Sequence, residues 1–238
     1  MNVAEERRKL VAEMRKHGKR GGDAWLQRYV GSPYPVLGLT TPQHRAIQSA
    51  FAKAHPDPTA KEVNALAAAI RRGRTTEEKW LAVGLLERYA EVLDEASWQL
   101  LDRFVDDSVG WGLCDGLGSG PISRMVRAKP ARFRALMAWT KSPNPWRRRI
   151  AAYALRDFVY AREFDKPFRL LERLLYDDHV WVQRAVGTWL RECWKRDRKR
   201  TEAFLRKHAK GLPKVVITVA TERAPKAFRE ELRGKRGP

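Results

Sequence analysis

The chain has 238 residues, of which 43% are hydrophobic, 10% aromatic and 32% charged, and this composition indicates a folded protein rather than a disordered one. It holds no run of about 18 uncharged apolar residues that a membrane span would need, and acidic residues near the N-terminus argue against a secretion signal. Two cysteines and five scattered histidines do not match a disulfide framework or a zinc site. We therefore expect no metal, no cofactor, no membrane partner and a cytoplasmic location.

Positive charge is concentrated in the second half of the chain. Lys and Arg number 48 against 28 acidic residues, a net charge of +20. Residues 1–120 carry 17 basic and 16 acidic side chains, whereas residues 121–238 carry 31 and 12, and no acid lies between Asp115 and Asp157. This asymmetry predicts a polyanionic partner, most simply nucleic acid. Arg-rich codon usage would explain Arg over Lys, but not the missing acids.

The hydrophobic periodicity is helical along nearly the whole chain, which predicts an all-α protein. Apolar residues recur at spacings of three and four in residues 11–17, 45–54, 63–70, 80–93, 96–105, 133–139, 150–160, 168–176 and 180–190. Glycine-rich and proline-rich segments between these patterns predict breaks, and the longest is Gly110–Gly120. The result is about a dozen short helices joined by short turns.

Several helix starts carry capping signals. Thr41 before Pro42 and Asn144 before Pro145 place a cap ahead of a proline at the first helical position. Capping boxes are predicted for Thr59 with Glu62 and for Thr75 with Glu78. Further N-caps are predicted at Asp94, Asp165 and Asp178.

The helices also repeat. Tryptophans at positions 80, 111, 146 and 181 are separated by 31, 35 and 35 residues. Asn144-Pro-Trp146-Arg-Arg-Arg149-Ile-Ala aligns with Asp178-His-Val-Trp181-Val-Gln-Arg184-Ala, so a helix-opening cap precedes Trp-x-x-Arg in both segments. This period predicts a HEAT-like-repeat α-solenoid with a basic concave surface. We expect one domain over 1–238, with an N-terminal helix in 1–22, helical repeats in 23–222 and a basic tail in 223–238.

One segment combines glycines with residues suited to chemistry. Five of the twelve residues from Val109 to Gly120 are glycine, and Trp111 and Asp115 lie four apart. On a helix they would share a face, and an aromatic ring beside a carboxylate suits a cationic ligand. Spacing alone favours a core tryptophan near a capping aspartate, so both interpretations stay open.

Two further groups are candidates for DNA contacts. Arg147, Arg148 and Arg149 point in directions about 100° apart on a helix, so at most two could face one ligand. The second group is Trp181, Thr188, Trp189 and Trp194, and core packing is the simpler interpretation of most of its rings. Neither group contains a nucleophile–base pair or a phosphate-binding glycine loop.

The chain resembles the AlkD-like DNA alkylation repair family, HEAT-like-repeat DNA glycosylases that excise alkylated purines. The resemblance runs from about Trp25 to Glu222 and rests on these segments: Arg28-Tyr29, Leu37-Gly-Leu-Thr-Thr-Pro-x-x-Arg45, Ser108-x-x-Trp-x-x-x-Asp115, Asn144-x-Trp-x-x-Arg149 and Gln183-Arg-Ala-Val-Gly-x-x-Leu-Arg-Glu192.

The resemblance implies roles for individual residues. Asp115 matches the family's catalytic carboxylate, and Trp111 matches an aromatic residue beside the damaged nucleotide. Arg149 matches a backbone-contacting arginine, and Tyr29 matches a DNA-facing tyrosine. Further DNA contacts are expected from Arg148, Arg184, Thr188 and Trp189. We expect a monomer whose partner is duplex DNA carrying alkylated bases, at the bacterial nucleoid.

The chain departs from the family pattern at two places. The family's Trp-Trp-Asp-x-x-Asp is reduced to Gly110-Trp-Gly-x-x-Asp115, and Thr188 occupies the position of a second site tryptophan, with Trp189 one residue later. The leading hypothesis is a monofunctional alkylpurine DNA glycosylase. The alternatives are a non-catalytic binder of branched or distorted DNA and a solenoid adaptor for an acidic protein.

Overall fold

The computed structural model describes residues 1–236. Every regular element within this range is helical and no strand occurs in it, so the all-α prediction is confirmed. The chain forms two compact units, Met1–Met125 and Val126–Pro238, and the boundary falls within helix α8 (Ser123–Ala128). The single domain predicted over residues 1–238 stays a prediction.

The first unit is built around helix α5. Its helices are α1 (Val3–His17), α2 (Ala24–Val30), α3 (Thr41–Ala54), α4 (Ala60–Arg71), α5 (Thr76–Arg88), α6 (Glu95–Asp106) and α7 (Trp111–Leu117). Helix α5 packs against α3, α4 and α7, while α2 contacts α7. Its fully buried leucines, such as Leu81, Leu85 and Leu86, form the centre of the apolar core.

The second unit is built around helix α13. Its helices are α9 (Phe133–Trp139), α10 (Pro145–Tyr153), α11 (Arg156–Tyr160), α12 (Asp165–Leu174), α13 (Val180–Trp194), α14 (Arg198–Lys207), α15 (Lys214–Ala220) and α16 (Lys226–Arg236). Helix α13 packs against α10, α12, α14 and α15. The predicted basic tail, residues 223–238, is helical from Lys226 to Arg236, and its last two residues lie outside the described range.

Most predicted helix starts are correct, and three are displaced by one residue. The capping boxes of Thr59 and Thr75 and the caps at Asp94 and Asn144 are confirmed. The cap of α3 is Thr40, which forms a capping box with Gln43, rather than Thr41. Asp165 is the first helical residue after the cap Phe164, and His179 rather than Asp178 caps α13.

A buried carboxylate organises the loop before α3. Glu77 is fully buried at the start of α5 and accepts hydrogen bonds from the backbone amides of Leu37, Gly38 and Leu39. Because these amides have no helical partner, the carboxylate satisfies them in the interior.

Among the described helices, none combines the length and apolar character that crossing a membrane requires.

Candidate active site and nucleic-acid interface

The glycine-rich segment forms a helix where the sequence predicted a break. Trp111–Leu117 is α-helical, and a π-helical turn follows over Gly118–Ile122. Gly110 precedes the helix with φ +88°, and a Cβ there would lie 2.4 Å from the carbonyl oxygen of Gly31. Gly31 itself ends α2 in the left-handed conformation. The two glycines therefore let the end of α2 approach the start of α7 closely.

This close approach places Trp111 beside Tyr29. The Trp111 indole Nε1 donates a hydrogen bond to the Tyr29 carbonyl oxygen at 2.5 Å, and the two rings meet edge to face at 5.1 Å. Trp25 stacks on the Tyr29 ring, with the two centroids 5.1 Å apart. Tyr29 is 55% exposed and Trp25 is 64% exposed. We call Trp25, Tyr29 and Trp111 the aromatic cluster.

Asp115 lies one helical turn after Trp111 on α7 and is partly exposed. The predicted common face is therefore confirmed. The N-cap of α7 is Gly110, so Asp115 lies within the helix rather than at its start. Trp111 is half-buried and packs against the exposed Tyr29. A carboxylate and an aromatic ring, both partly exposed, therefore lie on one face of α7, and the roles expected of them stay predictions.

Helices α10 and α13 begin in the same way, as the Trp-x-x-Arg repeat predicted. The side chains of Asn144 and His179 each accept a hydrogen bond from the backbone amide of the tryptophan two residues later. The two tryptophans, Trp146 and Trp181, stack with ring centroids 6.5 Å apart. This repeated geometry joins the starts of the two helices.

Arg149 is only 3% exposed and holds α10 to α13. Its guanidinium donates to the Trp181 carbonyl oxygen and, at 3.3 Å, to the Tyr153 hydroxyl. It also lies 4.9 Å from the Tyr153 ring centroid and 5.7 Å from that of Trp181. The predicted contact of Arg149 with DNA stays a prediction, and the four contacts named here tie Arg149 to Tyr153 and Trp181.

Arg148 is also engaged within the second unit. It donates to both carboxylate oxygens of Asp177, at 2.7 and 3.0 Å, and to the Ser142 carbonyl oxygen at 2.8 Å. Arg184, by contrast, is exposed on α13, with its guanidinium 5.5 Å from the Trp181 ring centroid. Of the three predicted DNA-contacting arginines, Arg184 is the one whose charge faces solvent.

Comparison with known proteins is consistent with this architecture. A family model described as "DNA alkylation repair enzyme" matches residues 10–224. The chain belongs to the DNA alkylation repair enzyme family. No protein with a curated description matches it significantly.

Solved structures with the same fold come from distant relatives. A predicted DNA alkylation repair enzyme from Enterococcus faecalis has a TM-score of 0.73 at 16% identity, covering 85% of this chain and 94% of that one. AlkD2 from Streptococcus mutans has a TM-score of 0.61 at 18% identity, covering 75% and 89%. The smu.31 protein of Streptococcus mutans UA159 has a TM-score of 0.59 at 17% identity, covering 77% and 96%. The predicted helical-repeat fold is confirmed.

The departure from the family pattern at Thr188 has a structural counterpart. Thr188 is partly exposed on α13, whereas Trp189 is 4% exposed and packs edge to face on Tyr153 at 5.6 Å. A one-residue step rotates a helical side chain by about 100°, which turns Trp189 into the core. A Cβ on the preceding Gly187 would lie 2.6 Å from Val219 Cβ, so close packing of α15 fixes this rotation.

Both cysteines lie in the interior of the described structure. Cys114 and Cys193 are both buried, and burial raises the pKa of the Cys193 thiol to about 12. Within residues 1–236, no three His, Cys, Asp or Glu side chains are grouped so that they could hold a metal ion.

Trp25 is the member of the aromatic cluster that the sequence pattern did not single out, although its i,i+4 spacing from Tyr29 was a usable signal.

Proposed function

We propose that this protein is a monofunctional DNA glycosylase that hydrolyses the N-glycosidic bond of cationic alkylated purines in duplex DNA. The observation that carries the proposal is the placement of Asp115 and Trp111 on one accessible face of α7, beside the exposed Tyr29. Membership of the DNA alkylation repair family supports the same assignment.

The chemistry of the lesion explains why so few groups are needed. Alkylation at N3 or N7 gives the purine a positive charge, so it leaves as a neutral base without a strong general acid. Positive charge then develops on the sugar, as in glycoside hydrolysis. A carboxylate close to that charge stabilises the transition state more than the ground state. Asp115 supplies this carboxylate, and it also suits the orientation of the attacking water.

The aromatic cluster supplies the second part of the site. A ring face attracts a cation by about 0.5–2 kcal/mol, depending on how far the pair is removed from water. Trp111 lies one turn from Asp115 and is held by its hydrogen bond to the Tyr29 carbonyl oxygen. Its ring is thereby fixed in place before a lesion binds. We assign Trp111 to contact with the damaged nucleotide and Tyr29 to contact with the adjacent DNA.

The second unit is assigned to DNA binding. Arg184 is exposed and Thr188 is partly exposed, both on α13, whereas Arg148 and Arg149 position the helices that carry these side chains. The C-terminal excess of basic residues supports a phosphate-bearing partner. We place the protein at the bacterial nucleoid, acting as a monomer on alkylated duplex DNA.

A second candidate function is non-catalytic binding of branched or distorted DNA. The observation that favours it is the inward rotation of Trp189, which leaves Thr188 where the family places a site tryptophan. Such a binder would keep the basic surface and lack excision.

Base release separates the two candidates. The protein is incubated with duplexes containing 7-methylguanine or 3-methyladenine, and free base is measured by chromatography. DNA affinity is measured in parallel over a range of salt concentrations. Release above the spontaneous rate supports the glycosylase. Salt-dependent binding without release would replace it with the binder, and absence of DNA binding would contradict both.

A further inference from the structure

The first unit contains an open pocket whose walls are aromatic. It has a volume of about 460 Å³ and lies between α2, α3, α5 and α7. Tyr29, Trp80 and Trp111 contribute rings to its lining. Gln48 and Glu87 add polar groups. Flat surfaces combined with a few polar groups are typical of sites for planar heteroaromatic ligands.

Helical glycines keep this pocket open. Gly84 on α5 and Gly112 and Gly116 on α7 all line it. A Cβ on Gly84 would lie 2.3 Å from Nε2 of Gln48, whereas a Cβ on Gly116 would meet no described atom within 4 Å. Glycine lowers helix stability relative to alanine. The three helical glycines around this pocket therefore weaken the helices but leave the pocket free of side chains.

Buried nitrogens without partners lie in the wall of the same pocket. His44 is 9% exposed, and neither of its ring nitrogens has a hydrogen-bond partner among residues 1–236. The indole Nε1 of Trp80, whose ring meets His44 edge to face at 5.7 Å, also lacks one within this range. Unpaired buried polar atoms are costly. A ligand edge that reached these nitrogens from the pocket would supply their missing partners.

A cationic pocket adjoins the aromatic one. It has a volume of about 450 Å³ and shares Arg45, Gln48, Gly84 and Glu87 with its neighbour. Arg88 and Arg124 complete its positive charge. All three arginines are exposed, and none of their guanidinium groups has a hydrogen bond or ion pair within the described part of the chain. Uncommitted guanidinium groups of this kind suit a phosphate.

We propose that the two pockets together form a site for a single nucleotide. The base lies among Tyr29, Trp80 and Trp111, and the phosphate contacts Arg45, Arg88 and Arg124. Glu87, on the shared boundary, repels phosphate but favours a base that carries positive charge. A nucleotide extruded from DNA and a free mononucleotide share this chemistry. The DNA source rests on the proposed function, whereas the site itself does not.

The test begins with a free nucleotide. Binding of 7-methylguanosine 5′-monophosphate is measured by calorimetry with the parent, Gly116→Leu and Gly234→Leu. Leucine at position 116 enters open space in the pocket, so affinity should fall at least about tenfold while the melting temperature is maintained. Gly234 on α16 has equally open surroundings in the second unit, so its variant should bind like the parent.

Two further variants separate the base and phosphate compartments. His44→Phe keeps a ring of similar size but removes both nitrogens, so it should weaken binding of the nucleotide and of its nucleoside alike. Arg124→Ala should weaken the nucleotide by about tenfold and leave the nucleoside unchanged. Equal nucleotide affinity in the parent, Gly116→Leu and His44→Phe would overturn the proposal, as would no binding by the parent.

DNA arms then identify the source of the nucleotide. A duplex with one unpaired, bulged purine is compared with the fully paired duplex. If the nucleotide comes from DNA, the parent should prefer the bulge and Gly116→Leu should lose that preference. Pocket-dependent binding of the free nucleotide without a bulge preference would assign the site to mononucleotides. These measurements need no excision, so a parent that fills the site but releases no base contradicts the glycosylase alone.

Discussion

Helix α7 in the first unit and helices α10 and α13 in the second each carry a tryptophan near the helix start, but these tryptophans make different contacts. Trp146 and Trp181 stack on each other, and Arg149 holds the two helix starts together. Trp111 instead packs on the exposed Tyr29, one turn from Asp115. The Trp-x-x-Arg motif shared by α10 and α13 holds these two helices together. The Trp111 and Asp115 pair of α7 instead lies on an accessible face.

The comparison makes removal of the Asp115 charge the most damaging change for function. Asp115→Asn keeps the side-chain shape and should lower the excision rate about 100-fold or more, since one electrostatic stabiliser of the transition state is lost. DNA affinity should stay equal or rise slightly. The measurement is single-turnover release of 7-methylguanine. Asp57→Asn, an exposed loop change with the same effect on net charge, should excise like the parent. Parental excision by Asp115→Asn would make Asp115 structural.

In the second unit, the largest effect should be on stability. Arg149→Ala leaves the Trp181 carbonyl oxygen without its buried donor and removes two ring contacts. We expect a loss of about 2–3 kcal/mol. The melting temperature and the urea midpoint measure it.

Arg184→Ala is the matched control, because Arg184 follows Trp181 as Arg149 follows Trp146 but is exposed. It should change stability by less than about 0.5 kcal/mol. If Arg184 contacts a phosphate, its removal should reduce the slope of log affinity against log salt by about 1. The comparison between repeats fails if the two variants melt at the same temperature.

The elements that sequence patterns predicted correctly depend on local interactions. Helical periodicity, the capping boxes at Thr59 and Thr75, and the paired starts of α10 and α13 all follow from residues within a few positions of each other. Helix α7 was predicted as a break because glycine disfavours helices. The contact between Gly110 and Gly31, 79 positions apart in the numbering, explains why glycine occurs there.

The burial of predicted DNA-contacting residues could not be predicted for the same reason. Arg148 pairs with Asp177, which is 29 positions away, and Arg149 bonds Trp181, which is 32 away. Such partners are set by helix packing rather than by local pattern. The pocket beside Trp80 likewise needs four helices brought together.

A smaller effect is expected from restoring an aromatic ring in the second unit. Thr188→Trp puts an indole on the accessible face of α13, where the family resemblance places one. A ring contact with a cationic base contributes about 0.5–2 kcal/mol, so excision or lesion affinity should rise between about twofold and thirtyfold. The readout is the affinity ratio for alkylated against unmodified duplex. Thr218→Trp, the same change at an exposed position of α15, controls for added hydrophobic surface; an equal gain there would remove the assignment of position 188.

The smallest expected effect is on the pH dependence of the melting temperature, and it depends on His44 in the first unit. Burial lowers the pKa of His44 below its usual value of 6.5, although the Glu77 carboxylate acts in the opposite direction. The unfolded chain therefore takes up a proton near pH 6.5 while the folded chain still resists it. Stability from the neutral ring is fully present above pH 6.5 and is lost as the pH falls toward the folded-state pKa.

His44→Phe should remove this loss, so its melting temperature should fall less than that of the parent between pH 7 and pH 5. His208, whose pKa is also lowered by burial, is present in both proteins, so its contribution cancels in the comparison. Parallel melting curves against pH would mean that His44 is charged or solvated in the folded protein, and its unpartnered nitrogens would then lose their significance for the pocket.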